Sequence, residues 1–375
     1  IAVIVSTGLR SIDRSLVDLA RLSGGRWSVF RYGVLPQIRA HIGASFCLVM
    51  IFVLARYGVP SLLGVNTYPV EIFSQFSAFY DVNAAVGTSV PLIAVVVILV
   101  IAQQLFMRGR QYLRLVPASE SDTPLRLCRW RMPAAAAITV LFTLTVLLPF
   151  ISVFRYAGSL GKVISTAADY GDGIITTVLL AFGAAVLAIF IAFLVGRYLA
   201  LAGGRLRNIA DVICWLPIAI PGTIIGLGLI QLAGSWSAGD SFGILLLIAY
   251  TGMFSGFAVR IFQASYSASD PSVDDSALLA CRNGLQRLLY VKLPVHRRAI
   301  AASVVIVAVF AAGDLNASVL LIPPGKATLS VSIDNLLHYG ANAGASALCI
   351  IEAFVIILAA AAGGLLLRVP ERLLR

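Results

Sequence analysis

Long hydrophobic runs alternate with short polar connectors along most of the chain. Eight runs reach the roughly 20 residues that a helix needs to cross a bilayer; they lie near 40–63, 85–106, 133–155, 173–199, 209–233, 242–263, 299–322 and 344–367. Apolar residues are continuous within each run rather than alternating, which predicts α-helices and argues against a β-barrel. The pattern therefore predicts an all-α polytopic membrane protein, a transmembrane helix bundle with about eight full spans.

Composition supports the membrane assignment. Hydrophobic residues make up 59% of the 375 positions and charged residues only 12%, against about 25% charged residues in an ordinary soluble domain. The net charge of +11 comes from basic residues clustered between apolar runs, which points to contact with lipid rather than nucleic acid. The five cysteines and three histidines show no paired spacing, so no metal site is expected from a local motif.

The distribution of Arg and Lys predicts which connectors face the cytoplasm. Basic residues are concentrated in 9–39, in 107–132, after the fourth run, in 264–298 and in the C-terminal tail. The alternate connectors, 64–84, 156–172, 234–241 and 323–343, contain only Lys162 and Lys326. By the positive-inside rule, the basic connectors and the C-terminus are expected in the cytoplasm.

Two polar segments repeat one arrangement of residues. The first contains Asp18-Leu19-Ala20, Gly24 and Leu35-Pro36; the second contains Asp275-Ser276-Ala277, Cys281 and Leu293-Pro294. The two prolines are 258 residues apart, and a charged residue, Arg56 or Asp314, follows each of them after 20 residues. These correspondences predict a duplicated unit.

The duplication predicts how the chain is divided. About four runs precede the second polar segment, whereas only 35 residues precede Pro36, so about 125 residues of a first half are expected to be missing. We predict the C-terminal part of a first half at 1–106, a cytoplasmic linker at 107–132 and a complete second half of six spans at 133–375.

The second polar segment, 270–298, has the pattern of two short helices. A helix is expected through Ala277, a break or bend near Gly284, and a second amphipathic segment that includes Leu289 and ends at Pro294. Such a pair could fill a groove on a partner protein. An amphipathic helix lying on the bilayer surface is the open alternative.

The spacing of these residues resembles the Glu-Ala-Ala loop of binding-protein-dependent ABC importer permeases of the type I fold. In that family the loop docks on the ATPase subunit, which implies ATPase-docking roles for both segments. The resemblance has two departures. Cys281 stands where the family has glycine, and in the first segment Leu19 fits poorly and Pro36 comes one residue early, so docking by the first loop is less certain.

Across the chain, the resemblance is to a fused two-half permease of the ferric-iron type, with thiamine, aminoethylphosphonate and polyamine permeases as similar relatives. It implies a bacterial inner-membrane protein that works with two ABC ATPase subunits and a periplasmic substrate-binding protein. It also implies import by alternating access. An ion-coupled secondary transporter and a non-transporting scaffold stay open as alternatives.

No Gly-x-x-x-x-Gly-Lys-Ser/Thr loop occurs in the sequence, so ATP and Mg are expected on the partner ATPase rather than on this chain. No catalytic constellation is visible either. We therefore expect a transport subunit that is not an enzyme and binds no cofactor of its own.

Charged residues and prolines inside the apolar runs are candidates for the transport pathway. A lone charge at mid-membrane costs about 2.5–3.5 kcal/mol, so Arg56, Asp314 and Glu352 should face protein or water. We hypothesise that Arg56 pairs with Asp314 across a pseudo-two-fold axis near the periplasmic end of the pathway; alternatively, each charge reaches the outer interface separately. Asn316 is a further candidate for the pathway.

Pro217 and Pro221 are expected to break a transmembrane helix, either as part of the pathway or as a structural kink. Three tryptophans, Trp130, Trp215 and Trp236, lie near predicted span ends. That position is typical of anchors at the membrane interface.

Overall fold

The computed structural model describes residues 2–10, 12, 14–107, 131–234, 242–322, 326–340 and 343–368. All secondary structure in these residues is helical, which confirms the prediction of an all-α membrane protein. The predicted linker at 107–132, apart from its ends, lies outside the described residues, as do Trp130 and Trp236.

The helices are numbered in chain order. Before the linker they are α1 (Ala2–Arg10), α2 (Arg14–Ser23), α3 (Arg26–Ser28), the π-helical segment π1 (Val29–Val34), α4 (Leu35–Leu54), α5 (Gly58–Leu62), α6 (Tyr68–Ser77) and α7 (Val82–Met107). After the linker they are α8 (Arg131–Phe142), π2 (Thr143–Leu147), α9 (Leu148–Ala157), α10 (Leu160–Asp169), α11 (Gly171–Leu201), α12 (Gly204–Ala219), α13 (Gly222–Ala233), α14 (Phe242–Ser267), α15 (Pro271–Ala280), α16 (Gly284–Arg287), π3 (Leu288–Lys292), α17 (Leu293–Val295), α18 (Arg297–Ala312), α19 (Ser318–Leu321), α20 (Leu329–His338) and α21 (Ala343–Arg368).

Six continuous helical stretches of the described chain are long and apolar enough to cross a membrane. They are Val29–Leu54, Val82–Phe106, Arg131–Ala157, Gly171–Leu201, Gly243–Ser267 and Ala343–Gly364. Two further stretches pass the same test only as bent helix pairs, which brings the number to eight when each pair counts as one span. The structure is therefore that of a multi-pass membrane protein.

The run at 209–233 does not form the single straight span that its hydropathy predicts. Its two helices, α12 and α13, meet at an angle of 97°. Ile220 between them is extended, with φ −72° and ψ 127°, as expected for a residue that precedes proline. Pro221 therefore ends one helix and allows the next to start in a new direction, whereas Pro217 lies inside α12.

The predicted span at 299–322 also differs from expectation. Its helix, α18, ends at Ala312, and a turn around Asp314 leads into the short α19. At its other end α18 makes an angle of 73° with the preceding stretch, Gly284–Val295. The helix is therefore shorter than the apolar run, because the residues that follow Ala312 belong to the same run but not to the same helix.

Each π-helical segment in the described residues ends directly before a Leu-Pro pair. The N–H groups of Leu35, Leu148 and Leu293 donate to carbonyls five residues back, those of Phe30, Thr143 and Leu288. Proline has no N–H and its ring clashes with the carbonyl four residues back. A wider turn before the proline relieves that clash while keeping the neighbouring amide bonded.

The helical segment of the second polar segment does not end at Pro294, contrary to expectation. Pro294 occupies the first turn of α17, which continues to Val295. Pro36 has the same place at the start of α4. Proline is tolerated there because the N–H groups of a first turn have no partner within their own helix.

Contacts group the chain into two compact units. The first contains the described residues within 1–118, 192–225 and 259–296, and the second those within 119–191, 226–258 and 297–375. In the first unit α4 and α6 pack on α7, and α12 also contacts α7. The boundaries that we predicted at 106 and 133 stay predictions.

In the second unit, α21 is the central helix. It is contacted by α9, α10, α18 and α20. Buried side chains of α20 and α21 form a core of Leu329, Ile333, Leu348 and Ile351. Pairing of α20 with α21 repeats that of α6 with α7, and both α6 and α20 have ten residues, in agreement with the predicted duplication.

One close helix contact in the first unit depends on glycine. A methyl group placed on Gly196 of α11 would lie 2.7 Å from Cβ of Phe262 on α14, and 3.0 Å from the backbone nitrogen of Gln263. Gly252, also on α14, has no atom within 4 Å of the equivalent position. The two glycines are therefore chemically matched but differ in how closely they are packed.

We expect Gly196→Ala to lower the thermal midpoint of the detergent-solubilised protein by several degrees, because overpacking costs about 1–3 kcal/mol. Gly252→Ala serves as the control and should leave the midpoint unchanged or raise it, since alanine is the better helix former. Equal midpoints for the two variants would contradict the close packing of α11 on α14.

Candidate docking site

The two repeated polar segments fold in the same order. Docking element 1 (residues 14–36) contains α2, a break, α3 and π1; docking element 2 (residues 271–294) contains α15, a break, α16 and π3. Both first helices have ten residues. The repeat seen in the residue spacing is thus also a repeat of backbone structure.

The one-residue difference between the elements lies in the break between their helices. Two residues, Gly24 and Gly25, connect α2 to α3, whereas three residues, 281–283, connect α15 to α16. From the start of the second helix onward the spacing is the same in both elements. Pro36 therefore comes one residue early because the turn before α3 is one residue shorter, whereas the first helices have the same length.

Cysteine at 281 is compatible with its backbone conformation. Cys281 has φ −100° and ψ 126°, an extended conformation open to any L-residue. Gly284 has nothing within 4 Å of an added methyl group and is the first residue of α16. The break thus lies just before Gly284, and the structure gives no steric reason for glycine at position 281.

The alanine of the repeated motif is buried in each first helix. Ala20 and Ala277 are 7% and 4% exposed, respectively. A methyl group on Gly33 of π1 would lie 3.3 Å from Cβ of Ala20, so the second part of element 1 packs closely on this alanine. Asp18, Asp275 and Ser276 are exposed.

Large apolar side chains cover the outer surface of both elements. Leu22 is 86% exposed and Leu279 is 92% exposed. Further exposed apolar residues are Leu19, Trp27 and Tyr32 in element 1, and Leu278, Leu285, Leu289 and Tyr290 in element 2. Exposed apolar side chains concentrated in two short segments indicate an interaction surface.

Element 2 is anchored by a histidine that the sequence analysis did not single out. His296, two residues after the end of the element, is 4% exposed and its Nδ1 lies 2.8 Å from Oγ of Ser265 on α14. The ring of Tyr266 packs against it at 4.1 Å between centroids. The only signal in the sequence was a polar residue next to the Leu-Pro pair.

The N-terminus of element 2 is capped by an aspartate. Oδ1 of Asp270 accepts a hydrogen bond of 2.9 Å from the backbone N–H of Ser272. This bond favours the charged form and lowers the pKa of Asp270 below its ordinary value. The helix of element 2 therefore starts where the Asp-Pro pair predicts.

The predicted pathway residues lie in different surroundings. Arg56 follows α4 in the first unit and is exposed. Asp314, in the second unit, is 5% exposed, and its carboxylate accepts hydrogen bonds from the backbone N–H of Ala317 at 2.9 Å and Nδ2 of Asn316 at 3.3 Å. The pairing of Arg56 with Asp314 stays a prediction.

Comparison with known proteins identifies the family. Residues 1–112, which include docking element 1, match the inner membrane components of binding-protein-dependent transport systems. Residues 1–112 thus carry the sequence pattern of this permease family. The recognition made from the docking motif is thereby confirmed.

Individual relatives extend the similarity beyond residue 112. The permease is 24% identical over 342 residues, 88% of its length, to the Fe(3+)-transport system permease protein FbpB 2 of Haemophilus influenzae, of which it covers 66%. It is 20% identical over 204 residues to the transport system permease NifC of Clostridium pasteurianum, covering 50% of this chain and 70% of that protein.

A third relative has a different named substrate. The permease is 28% identical over 166 residues to PhnV of Salmonella paratyphi A, which is named for a 2-aminoethylphosphonate transport system; the match covers 43% of this chain and 62% of PhnV. The chain thus spans about two thirds of the length of FbpB 2 and PhnV.

Sequence reasoning missed an ion pair inside the membrane-spanning part of the permease. Nη2 of Arg260 on α14 lies 2.7 Å from Oδ1 of Asp211 on α12. Nη1 of Arg260 donates to Gln263 at 2.8 Å, and the guanidinium lies 5.3 Å from the ring centroid of Trp215. Both charges were visible as isolated ionic residues in apolar runs, but only the fold brings them together.

Trp215 is therefore not the interface anchor that its position predicted. It is 9% exposed and packs under the guanidinium of Arg260. An aromatic face stabilises a desolvated cation, so this tryptophan supports the ion pair rather than the lipid interface.

We expect Asp211→Asn and Arg260→Gln each to destabilise the permease by about 3 kcal/mol, because each leaves an uncompensated charge in a mostly buried site. The double variant should recover part of that loss, which unfolding in mixed micelles would measure as a coupling energy of about 1 kcal/mol or more. Lys162→Gln, at an exposed position, is the control, and strictly additive effects would argue against a functional pair.

Proposed function

We propose that the chain is the permease subunit of an ATP-driven ABC importer, which moves a small solute from a periplasmic binding protein to the cytoplasm by alternating access. The observation that carries this proposal is the pair of docking elements. Each presents exposed apolar side chains. Element 1 overlaps the apolar stretch Val29–Leu54, and element 2 is followed after two residues by the apolar helix α18. A partner that binds the elements can therefore move the apolar helices that follow them.

Two ATPase subunits are the partners that fit this arrangement, one at each docking element. The chain lacks a phosphate-binding glycine loop, so ATP and Mg belong to those subunits. The permease itself then works as a non-enzymatic transport subunit. An ion-gradient-driven carrier is the competing class, and duplicated docking elements would have no role in it.

The orientation proposed for the permease places both docking elements and the C-terminus in the cytoplasm of a bacterial cell, with the spans in the inner membrane. The clustering of Arg and Lys beside the docking elements supports it. Three of the four connectors assigned to the outer side hold helices of ten residues, α6, α10 and α20. These helices offer a folded surface to a substrate-binding protein.

Ferric iron is the best candidate for the transported solute. Similarity to FbpB 2 extends over 88% of the chain, whereas similarity to PhnV extends over 43%. An aminoethylphosphonate, thiamine or a polyamine is the alternative cargo. Uptake assays with the cognate binding protein loaded with each solute would decide between them.

Leu289→Asp should abolish co-purification of the ATPase subunit, because it places a charge on the exposed apolar surface without disturbing a buried contact. Leu160→Asp, at an exposed position on α10, is the control for adding a charge and should co-purify normally. Ala277→Glu should also prevent association by disrupting the element itself. Transport that persists without any ATPase would overturn the proposed function.

Substitutions at Cys281 test whether this turn is in close contact with the ATPase. Cys281→Gly should retain coupling, because the extended backbone accepts either residue. Cys281→Trp should leave ATP hydrolysis running while transport falls, measured as solute moved per ATP hydrolysed in proteoliposomes. Unchanged coupling in Cys281→Trp would show that the turn does not pack closely on its partner.

A further inference from the structure

A groove lined by two arginines lies where docking element 1 joins α4. Its volume is about 340 Å³, and it is lined by Arg31 of π1 and by Leu35, Pro36, Arg39 and Ile42 of α4. Both arginines are exposed. These residues belong to the first half of the apolar stretch Val29–Leu54, so the groove is at one end of a membrane-crossing segment.

The two guanidinium groups have no acidic partner among the described residues. None of the ion pairs resolved there includes Arg31 or Arg39. The guanidinium of Arg31 lies 5.9 Å from the ring centroid of Tyr32, which carries no formal charge. Each guanidinium has five N–H donors in a fixed fork. The groove therefore presents two uncompensated positive charges and several hydrogen-bond donors to an anion.

The face of α4 that lines the groove continues as a stripe of exposed apolar side chains. Ile42 is followed at intervals of three or four residues by Phe46, Val49 and Val53, and all four are exposed. Side chains with this spacing lie on one face of a helix. Ala44, Cys47 and Ile51 are on the opposite face and are buried. The groove thus opens at the head of a surface suited to a hydrocarbon chain.

The second copy of the repeat retains only part of this arrangement. At the positions 258 residues later, Leu289 stands in place of Arg31 and Arg297 in place of Arg39. A single arginine at the end of a span is typical of membrane proteins in general. Two arginines lining one groove are instead a feature of docking element 1 and the start of its span.

We propose that this groove binds an anionic phospholipid, whose phosphate is held by Arg31 and Arg39 while an acyl chain lies along Ile42 and Phe46. Guanidinium groups bind phosphate through paired N–H···O hydrogen bonds, and basic pockets beside membrane helices bind anionic headgroups. A free phosphate ion would use the arginines alone. A phospholipid also covers the apolar side chains that continue from them, and this continuity favours the lipid.

A bound lipid would connect docking element 1 to the membrane surface. Arg31 belongs to the element and Arg39 to the helix that follows, so one headgroup would bridge the two across Pro36. Any effect on import rests on the proposed function, whereas lipid binding does not. Binding is measured on the purified permease without ATPase, binding protein or transport, so failure of one proposal is distinguishable from failure of the other.

Native mass spectrometry of the detergent-solubilised full chain, titrated with phosphatidylglycerol, tests the proposal. One phosphatidylglycerol should bind about tenfold more tightly than phosphatidylethanolamine with the same acyl chains, because the latter has no net charge. Arg31→Gln and Arg39→Gln should each weaken phosphatidylglycerol binding about fivefold. Arg31→Lys should weaken it less, because it keeps the charge and loses only the paired hydrogen bonds.

Arg297→Gln removes the corresponding arginine of the second copy and is the matched control; its affinity for phosphatidylglycerol should stay within about twofold of the parent protein. Equal losses in Arg297→Gln and Arg39→Gln, or equal affinities for the two lipids, would overturn the site. Displacement of the lipid by a large molar excess of inorganic phosphate would overturn its assignment to phospholipid. Intact lipid binding in a permease that neither associates with an ATPase nor transports would refute the import function alone.

Discussion

A backbone amide inside a bilayer has no water to bond to, and this constraint decides where the chain can bend. Its described spans are helices because helices satisfy their own backbone. Departures occur at proline, which removes a donor. Before Pro36, Pro149 and Pro294 the chain widens into a π turn and keeps the amide of the preceding leucine bonded, whereas at Pro221 it turns by 97° between two helices.

Charged side chains inside the bilayer also lack water to stabilise them. Inside the membrane-spanning part, Arg260 and Asp211 form an ion pair, and the carboxylate of the buried Asp314 accepts hydrogen bonds from backbone and amide donors. Exposed charges are instead gathered in the connectors and on the docking elements. Most charges of the chain thus lie outside the apolar spans.

Much of the fold was predictable from the sequence because hydrophobic length and residue spacing are local properties. The apolar runs located the spans, and the Asp-x-Ala and Leu-Pro spacings located both docking elements. The internal structure of these elements could not be predicted in the same way. The one-residue difference before Pro36 arises in the turn at Gly24 and Gly25, which is one residue shorter than its counterpart at 281–283. The Arg260–Asp211 contact depends on helix packing, which no local pattern encodes.

The two docking elements differ mechanically in how they join the membrane. Element 1 continues into α4 through one uninterrupted stretch, Val29–Leu54, whereas element 2 meets α18 at 73° beside the buried ring of His296. A continuous helix transmits a force along its own axis, whereas a bent helix pair converts the same force into rotation about the bend. Equal displacements of the two elements would therefore translate α4 along its axis and rotate α18 about the bend.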